Sequence, residues 1–371
     1  MSDNFKLSDR KKEILLNAVS NYIDNALPIT SSNVQNTSFS SLSSATLRNE
    51  LNGLEEMGYL KQLHTSGGRI PTSKGYRFYV DSLLTARKFD SNVVDVIKNK
   101  FVKRSDFILD VVDNLAKHVS DILKLPTFIE MKNYENLTIK GINIIPLITG
   151  QALVLVQSDA GIMNNTIDLS SNITEENCKD ASKFLTTNLY NKKFSELINN
   201  FDYYNDLFKN QIKYFQEFFV FITDTLKSYS SKNSFKTHSN VTDVLDNPEY
   251  KDIGQAKKFL TLVENEEKIT KIIKDIDNTS NNDIVYSIGD GEQNSDEYSD
   301  YSIIKANYSL KNGVVASIGV VGPQRLDYCK IASVLKYITD EITEIENKLS
   351  RGDIDDNWRI RWWSERSWAW K

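Results

Sequence analysis

The sequence predicts an α+β, multidomain fold that opens with a winged helix-turn-helix. Three observations carry this. Apolar stripes of helical period fill residues 9–57, and a basic, glycine-rich hairpin pattern follows at 59–72. Strand patterns set in from residue 127. A helical, aromatic-rich stretch then separates two groups of strand patterns, 127–170 and 284–321, so the simplest topology is one α/β domain carrying a helical insertion.

The elements follow in order. Ser8 caps a helix whose apolar positions are Ile14, Leu15, Ala18, Val19, Tyr22, Ile23 and Ala26, and Pro28 ends it. Thr30 or Ser31 caps a short second helix near Ser32 to Asn36, and SFSSLSS (38–44) is a polar turn. Ser43 caps a third helix with Leu47, Leu51, Leu54 and Met57 on one face, and Gly58 stands where a left-handed C-cap belongs. Two short strands, 59–63 and 69–72, flank the turn HTSGG, and a helix over 74–84 turns Tyr76, Tyr79, Val80 and Leu83 inward. Residues 92–123 read as helix closed by Pro126. Strands are expected at 127–131, 137–148, 151–157 and 161–169, and helix over 174–229. A polar linker is expected at 230–240 and helix at 251–276. Strands resume at 284–288, 301–309 and 314–321. The last helix carries Ile331, Leu335, Ile338, Ile342, Ile345 and Leu349 as a heptad seam of under three heptads, which favours packing on its own sheet over a free coiled coil.

Composition narrows the function classes. The longest apolar runs, such as Ala152 to Val156, are far too short to span a bilayer, and the charged start MSDNFKLSDRKK has no apolar signal core. Cys178, Cys329 and three scattered histidines (His64, His118, His238) offer neither a disulfide framework nor a metal cluster, so a reduced, cytoplasmic setting is expected. No serine, cysteine or histidine constellation suggests a nucleophile, and no cofactor or metal motif is complete, so the chain does not read as an enzyme. The acidic stretch 283–300 lacks calcium-loop spacing and reads as a solvated loop. Residues 1–88 carry net charge +3 (11 Lys+Arg, 8 Asp+Glu) within a chain of −5, which points mildly to a polyanion partner. All five tryptophans lie in residues 358–370, beside Arg359, Arg361 and Arg366. That shift in composition reads as an appended or non-native tail, disordered and outside the fold.

The chemistry concentrates in residues 43–77. Ser43, Ser44 and Thr46 place hydroxyls and free N–H groups at the positive end of the third helix. Arg48 and Asn49 lie opposite Leu47 and Leu51. Arg can grip guanine O6/N7 with two hydrogen bonds, and Asn can do so for adenine N6/N7. Asn52 continues that face, while Glu55 and Glu56 come too late and read as solvated. The hairpin brings His64, Thr65, Ser66, Gly67, Gly68 and Arg69. The glycines permit close approach to a sugar-phosphate backbone, and Arg69 at the tip suits a phosphate or a minor groove. Lys74, Tyr76 and Arg77 open the next helix as phosphate anchors. On 212–226 two apolar stripes, Ile212-Phe215-Phe219-Ile222-Leu226 and Tyr214-Phe218-Phe221, exceed what a surface helix needs. One can face its own domain and the other a second subunit.

The run SSATLRNELNGLEEMGYL followed by HTSGGRIPTSKGYRFYVD (43–81) resembles the signature of the HrcA family of heat-inducible transcription repressors. NPEYKD (247–252), SIGDGE (287–292) and GVVASIGVVGPQRLDY (313–328) resemble its later motifs, so the likeness spans residues 5–349. The resemblance implies a winged-helix domain, a GAF-like α/β domain and a helical dimerisation domain inserted into the latter. The expected division is 1–88 for the winged helix, 89–193 with 277–350 for the GAF-like domain, 194–276 for the insertion and 351–371 for the tail. Phe215, Phe218, Phe219 and Ile222 are the expected dimer contacts. The resemblance also implies a homodimer on double-stranded DNA at an inverted-repeat operator of CIRCE type, repression of chaperone genes relieved on heat stress, and a chaperonin partner. A GAF-like domain invites the alternative of a regulator that senses a small molecule, although no motif names a ligand.

Overall fold

The computed structural model describes residues 7–37, 39–63, 67–85, 108–148, 150–233, 235–238, 243, 248–250, 252–276, 284–289, 299–309 and 313–351. His64, Thr65 and Ser66, the expected helix over 92–107, most of the acidic stretch and the tryptophan-rich tail from residue 352 lie outside the described residues.

The N-terminal unit follows its local signals closely. Helix α1 (Asp9–Asn25) starts where the Ser8 side chain accepts from the Lys11 N–H at 3.3 Å. It ends one residue earlier than its stripe suggests: Ala26 takes a left-handed conformation (φ 55°) and donates to Tyr22 O. Helices α2 (Ser31–Thr37) and α3 (Ser44–Glu56) follow. Ser43 caps α3 by accepting from Thr46 N–H at 3.1 Å, and Gly58 (φ 75°) turns the chain out of it. Strands β1 (Leu60–Gln62) and β2 (Arg69–Pro71) pair antiparallel, Ile29 bridges to Arg69 on the free edge of β2, and α4 (Ser73–Thr85) closes the unit. Its core is Ile14, Leu15, Ala18, Val19, Leu47, Leu51, Leu54 and Val80.

Helix α5 (Ile108–Leu123) leads into β3 (Thr127–Lys132). The chain then leaves to build β4 (Ile139–Pro146), β5 (Gln151–Ser158) and β6 (Ile162–Asp168). Four helices follow: α6 (Glu175–Leu189), α7 (Phe194–Asn199), α8 (Phe201–Phe208) and α9 (Phe215–Asn233). It returns through β7 (Phe235–His238), α10 (Ile253–Glu264) and α11 (Glu266–Asp275). It finishes with β8 (Ile284–Ile288), β9 (Tyr301–Ser309), β10 (Val315–Pro323) and α12 (Tyr328–Arg351).

The strands form two separate larger sheets. One is antiparallel, in the order β7-β3-β10-β9-β8; the other holds only β4-β5-β6. Strand alternation explains how the five-stranded sheet is covered twice. Ile129, Met131, Ile304, Ala306, Ile318 and Val320 face α5 and α12. Phe128, Ile303 and Val321 face α10 and α11 with Phe259, Ile269 and Ile273. The seam of α12 packs on its own sheet, with Ile331, Leu335, Ile338 and Ile342 buried.

Three expectations need correction. Strands 139–168 do not extend the sheet of 284–323, so the segment that leaves the five-stranded sheet runs from 133 to 234, not 194–276. Helices at 253–275 instead pack on that sheet. Within the expected linker 230–240, Phe235–His238 pairs with β3 from Thr127 to Glu130 as an edge strand. Helix 174–229 is broken into four, with Asn191 (φ 62°) and Tyr214 (φ 61°) in left-handed turns. The free edge of β4 is closed by α6, whose Thr186 and Ser182 hydroxyls accept from the Ile142 and Ile144 N–H groups, both at 2.9 Å. Among the described residues no helix is long and apolar enough to cross a membrane.

Candidate nucleic-acid interface

Helix α3 is strongly two-faced. Leu47, Leu51 and Leu54 are fully buried, while Ser43, Ser44, Arg48 and Asn49 are exposed and Thr46 and Asn52 are half-buried. The start of α3 is held in place from its neighbours. The Ser31 and Ser44 hydroxyls lie 3.0 Å apart, joining α2 to α3, and Gln35 donates to Leu42 O at 2.9 Å across the intervening turn. Glu50 anchors the inner face. It is buried, yet it meets Lys11 Nζ and Arg10 Nη2, each at 2.5 Å. The hydrogen bond from Lys11 holds the Glu50 carboxyl below its usual value. The sequence offered Glu50 only as one polar residue on a mixed helix; the charges Arg10 and Lys11, about 40 residues earlier in the chain, were the missed signal.

The hairpin and α4 differ from expectation. Arg69 is not at the tip: it sits in β2, its side chain is only 13 % exposed, and Nε donates to Glu55 Oε2 at 2.7 Å while Nη2 donates to Asn52 Oδ1. Glu55 is therefore an ion-pair partner rather than a merely solvated residue, and Arg69 ties the hairpin to α3. Gly68 fits closely, since a Cβ there would come within 2.6 Å of Pro28 Cβ. Lys74 donates to Met57 O at 2.9 Å and lies 4.4 Å from the Tyr59 ring centroid, so it caps the end of α3. Tyr76 is 3 % exposed against Tyr328, and burial pushes its hydroxyl pKa up. Arg77 donates through Nε and Nη2 to Ile288 O at 2.9 and 2.6 Å. Tyr76 is buried and Arg77 is committed to Ile288 O, so neither stands as a free phosphate anchor, whereas Lys74 bonds Met57 O yet remains exposed.

Tyr76 and Arg77 belong to a seam between the N-terminal unit and the five-stranded sheet. Tyr286 donates to Arg77 O at 3.3 Å and to Asp81. Gln324 donates to Ser73 Oγ at 2.9 Å and to Ser299 O. Arg325 Nε meets Glu249 Oε1 at 2.7 Å, and its Nη1 donates to Ile23 O at 2.8 Å, in the last turn of α1. At Gly289 (φ 59°) a Cβ would lie 2.3 Å from Ser73 Oγ. Thus Glu249 of NPEYKD, Ile288 and Gly289 of SIGDGE, and Gln324 and Arg325 of GPQRLDY converge on one surface of the N-terminal unit. Motifs up to about 75 residues apart in sequence meet there, and nothing local in any of them signals the meeting.

The expected dimer residues also move. Phe215, Phe218, Phe219 and Ile222 are at most 1 % exposed within their own chain. Phe219 stacks on Phe201 and Phe215, with centroids 5.0 and 5.3 Å apart, and α9 packs across β5 and β6. Both apolar stripes serve the core of the segment, because α9 packs on β5 and β6 on one side and takes the short helices α7 and α8 on another.

What remains open is a polar, hydroxyl-lined helix start beside Arg48 and Asn49, presented on a rigid three-helix frame. Its groups can donate to anionic oxygens and to base edges.

The family described as "HrcA protein C terminal domain" matches residues 109–332. The heat-inducible transcription repressor HrcA of Thermoanaerobacter sp. (strain X514) is 34% identical over 359 residues, covering 94% of this chain and 99% of the relative. That of Clostridium tetani (strain Massachusetts / E88) is 33% identical, covering 92% and 96%. A solved structure described as a hypothetical protein at 2.2 Å resolution shares the fold, with a TM-score of 0.66 at 20% identity, covering 93% of this chain and all of that one. With relatives of this identity spanning nearly its whole length, the chain belongs to the HrcA family of heat-inducible transcription repressors.

Proposed function

We propose that this protein is a dimeric repressor of heat-shock genes. Its N-terminal unit acts as a winged helix-turn-helix that reads an inverted-repeat operator of CIRCE type. Repression ends on heat stress, and a chaperonin maintains the active form. The observation that carries the reading is the face of α3: three leucines seal one side while Ser43, Ser44, Thr46, Arg48 and Asn49 stand on the other. In this reading Arg48 and Asn49 contact base edges, and the serines, Thr46 and the hairpin around His64 to Gly68 contact the sugar-phosphate backbone. Asn52 and Arg69 act as a pair that sets the hairpin against α3. The five-stranded sheet with its two helical layers is the GAF-like domain. The segment 133–234 is the dimerising insertion, and its exposed residues Ile145, Ile162, Tyr203 and Leu207 are available to a second subunit where the buried phenylalanines are not.

The test is an anisotropy titration of full-length protein on an inverted repeat and on a scrambled duplex at physiological salt. Arg48→Ala is expected to weaken specific binding by about 1–3 kcal/mol and leave scrambled-duplex binding nearly unchanged. Equal affinity of the wild type for both duplexes sinks the reading.

A second reading, a regulator gated by a small molecule, has one observation in its favour. Glu130 Oε2 is buried without a hydrogen-bond donor, 3.8 Å from the fully buried Lys305 Nζ on the sheet face under α11. A metabolite panel in which no compound shifts the melting temperature would count against it.

A further inference from the structure

We infer that the seam around Arg325 is the ruler of the repressor: it sets the orientation of each reading head on the body and so the operator spacing the dimer accepts. This rests on the reading of the protein as a two-fold DNA binder given above, and it assigns a positioning role that α3 itself does not have.

Arg325 is a residue of the body, close to the end of β10, and it reaches the last turn of α1. The carbonyls of a final helical turn lack partners within the helix and carry its negative dipole end, so a guanidinium suits them. Glu249 holds the other side of that guanidinium at 2.7 Å, and the Arg325 side chain is only 15 % exposed. A fork locked on both sides has little freedom to follow a moving head. Arg77 mirrors it from the head, placing two N–H groups on Ile288 O. Tyr286 and Gln324 add directed bonds to Asp81 and Ser73. Gly289 allows the seat to close, because any side chain there meets Ser73.

These contacts touch both ends of the head's frame, the end of α1 and the length of α4, while α3 is left clear of the body. Two anchor points define a direction as well as a position. In a dimer related by a two-fold axis, the direction of each head fixes the separation of the two reading helices, and that separation must match one turn of duplex or a multiple of it. A head held by one point would swivel and tolerate many spacings. Two points restrict it to few. Arg325 and Tyr286 do not face α3, so removing them alters spacing selection without removing any contact with DNA.

The experiment uses full-length protein and a series of inverted repeats whose spacer changes one base pair at a time, beside a duplex carrying one half-site. The wild type is expected to prefer one spacer at least tenfold over spacers two base pairs longer or shorter. Arg325→Met and, independently, Tyr286→Phe are expected to shrink that ratio at least threefold while half-site affinity stays within twofold. Arg325→Lys, which keeps the charge but not the fork, should fall between. A spacer ratio unchanged in both variants, or a loss on the half-site equal to that on the full repeat, overturns the inference. A measurement without DNA stands beside it: hydrogen exchange at the end of α1 and at β8 should quicken in Arg325→Met while α3 keeps its wild-type protection. Unchanged exchange at the seam overturns the ruler even if no operator is found. Failure of the wild type to distinguish an inverted repeat from scrambled DNA, with seam exchange behaving as expected, would instead overturn the functional reading.

Discussion

Glu50 offers the sharpest test of how α3 is held. It lies on the inner face of α3 with its side chain 8 % exposed, and two cations of α1 reach it at 2.5 Å. Breaking a buried ion pair by removing one partner costs about 3–5 kcal/mol. Here the partners are wetter, with Lys11 21 % and Arg10 57 % exposed, so the freed cations regain water. The cost of Glu50→Gln then falls to that of a lost charge-assisted hydrogen bond, about 1.5–3 kcal/mol. The pH dependence has a definite sign. Lys11 depresses the folded-state pKa of Glu50, so its contribution is complete above the unfolded value of about 4.3 and is lost as pH falls through the folded-state value. The assay is hydrogen exchange of α1 and α3 amides in full-length protein, which reports opening of this unit separately from the sheets. The wild-type advantage should be full at pH 7, shrink below about pH 4 and be smaller when Lys11→Met is already present, since Arg10 alone then faces the carboxylate. A difference under about 0.5 kcal/mol at pH 7, or one that stays constant down to pH 3.5, would show that the Glu50 charge does not hold α3 against α1.

Other expectations follow from packing and capping. Gly75→Ala places a Cβ 2.3 Å from Tyr59 O, so α4 must shift off β1, and thermal melts should show a loss of about 1–3 kcal/mol. Phe219→Ala empties a fully buried, doubly stacked site and should cost about 3–5 kcal/mol in urea unfolding. A variant of normal stability that no longer self-associates would restore Phe219 to a subunit contact. Ser43→Ala removes the cap on Thr46 N–H and should cost about 1 kcal/mol, read as faster exchange in the first turn of α3.

Much of the fold could be read directly. The stripe of Leu47, Leu51 and Leu54 between a serine cap and Gly58 specifies α3 because each signal acts within a few residues. The same holds for the strands at 284–288 and 301–309, whose observed bounds are the expected ones. Phe235–His238 escaped because a short edge strand of mixed polarity carries no period. Only its pairing with β3 makes it a strand. The separation into two sheets escaped for a related reason: alternation tells which face is buried, not which strand lies alongside.

In the candidate site the division runs between exposure and commitment. Residue type and helical phase located Ser43, Ser44, Arg48 and Asn49, and they stand outside as that phase requires. The same reasoning placed Arg69, Lys74 and Arg77 among free basic groups. The tertiary structure gives each a partner: Glu55 with Asn52, Met57 O and Ile288 O. A long cationic side chain reaches about as far as a neighbouring element, and whether it stops there or continues to a ligand depends on what the fold brings within that reach. Helix phase is set by bonds four residues apart, so the chain alone determined the exposed polar face of α3. The seam through Arg325 joins residues about 300 positions apart, so only the folded molecule could decide it.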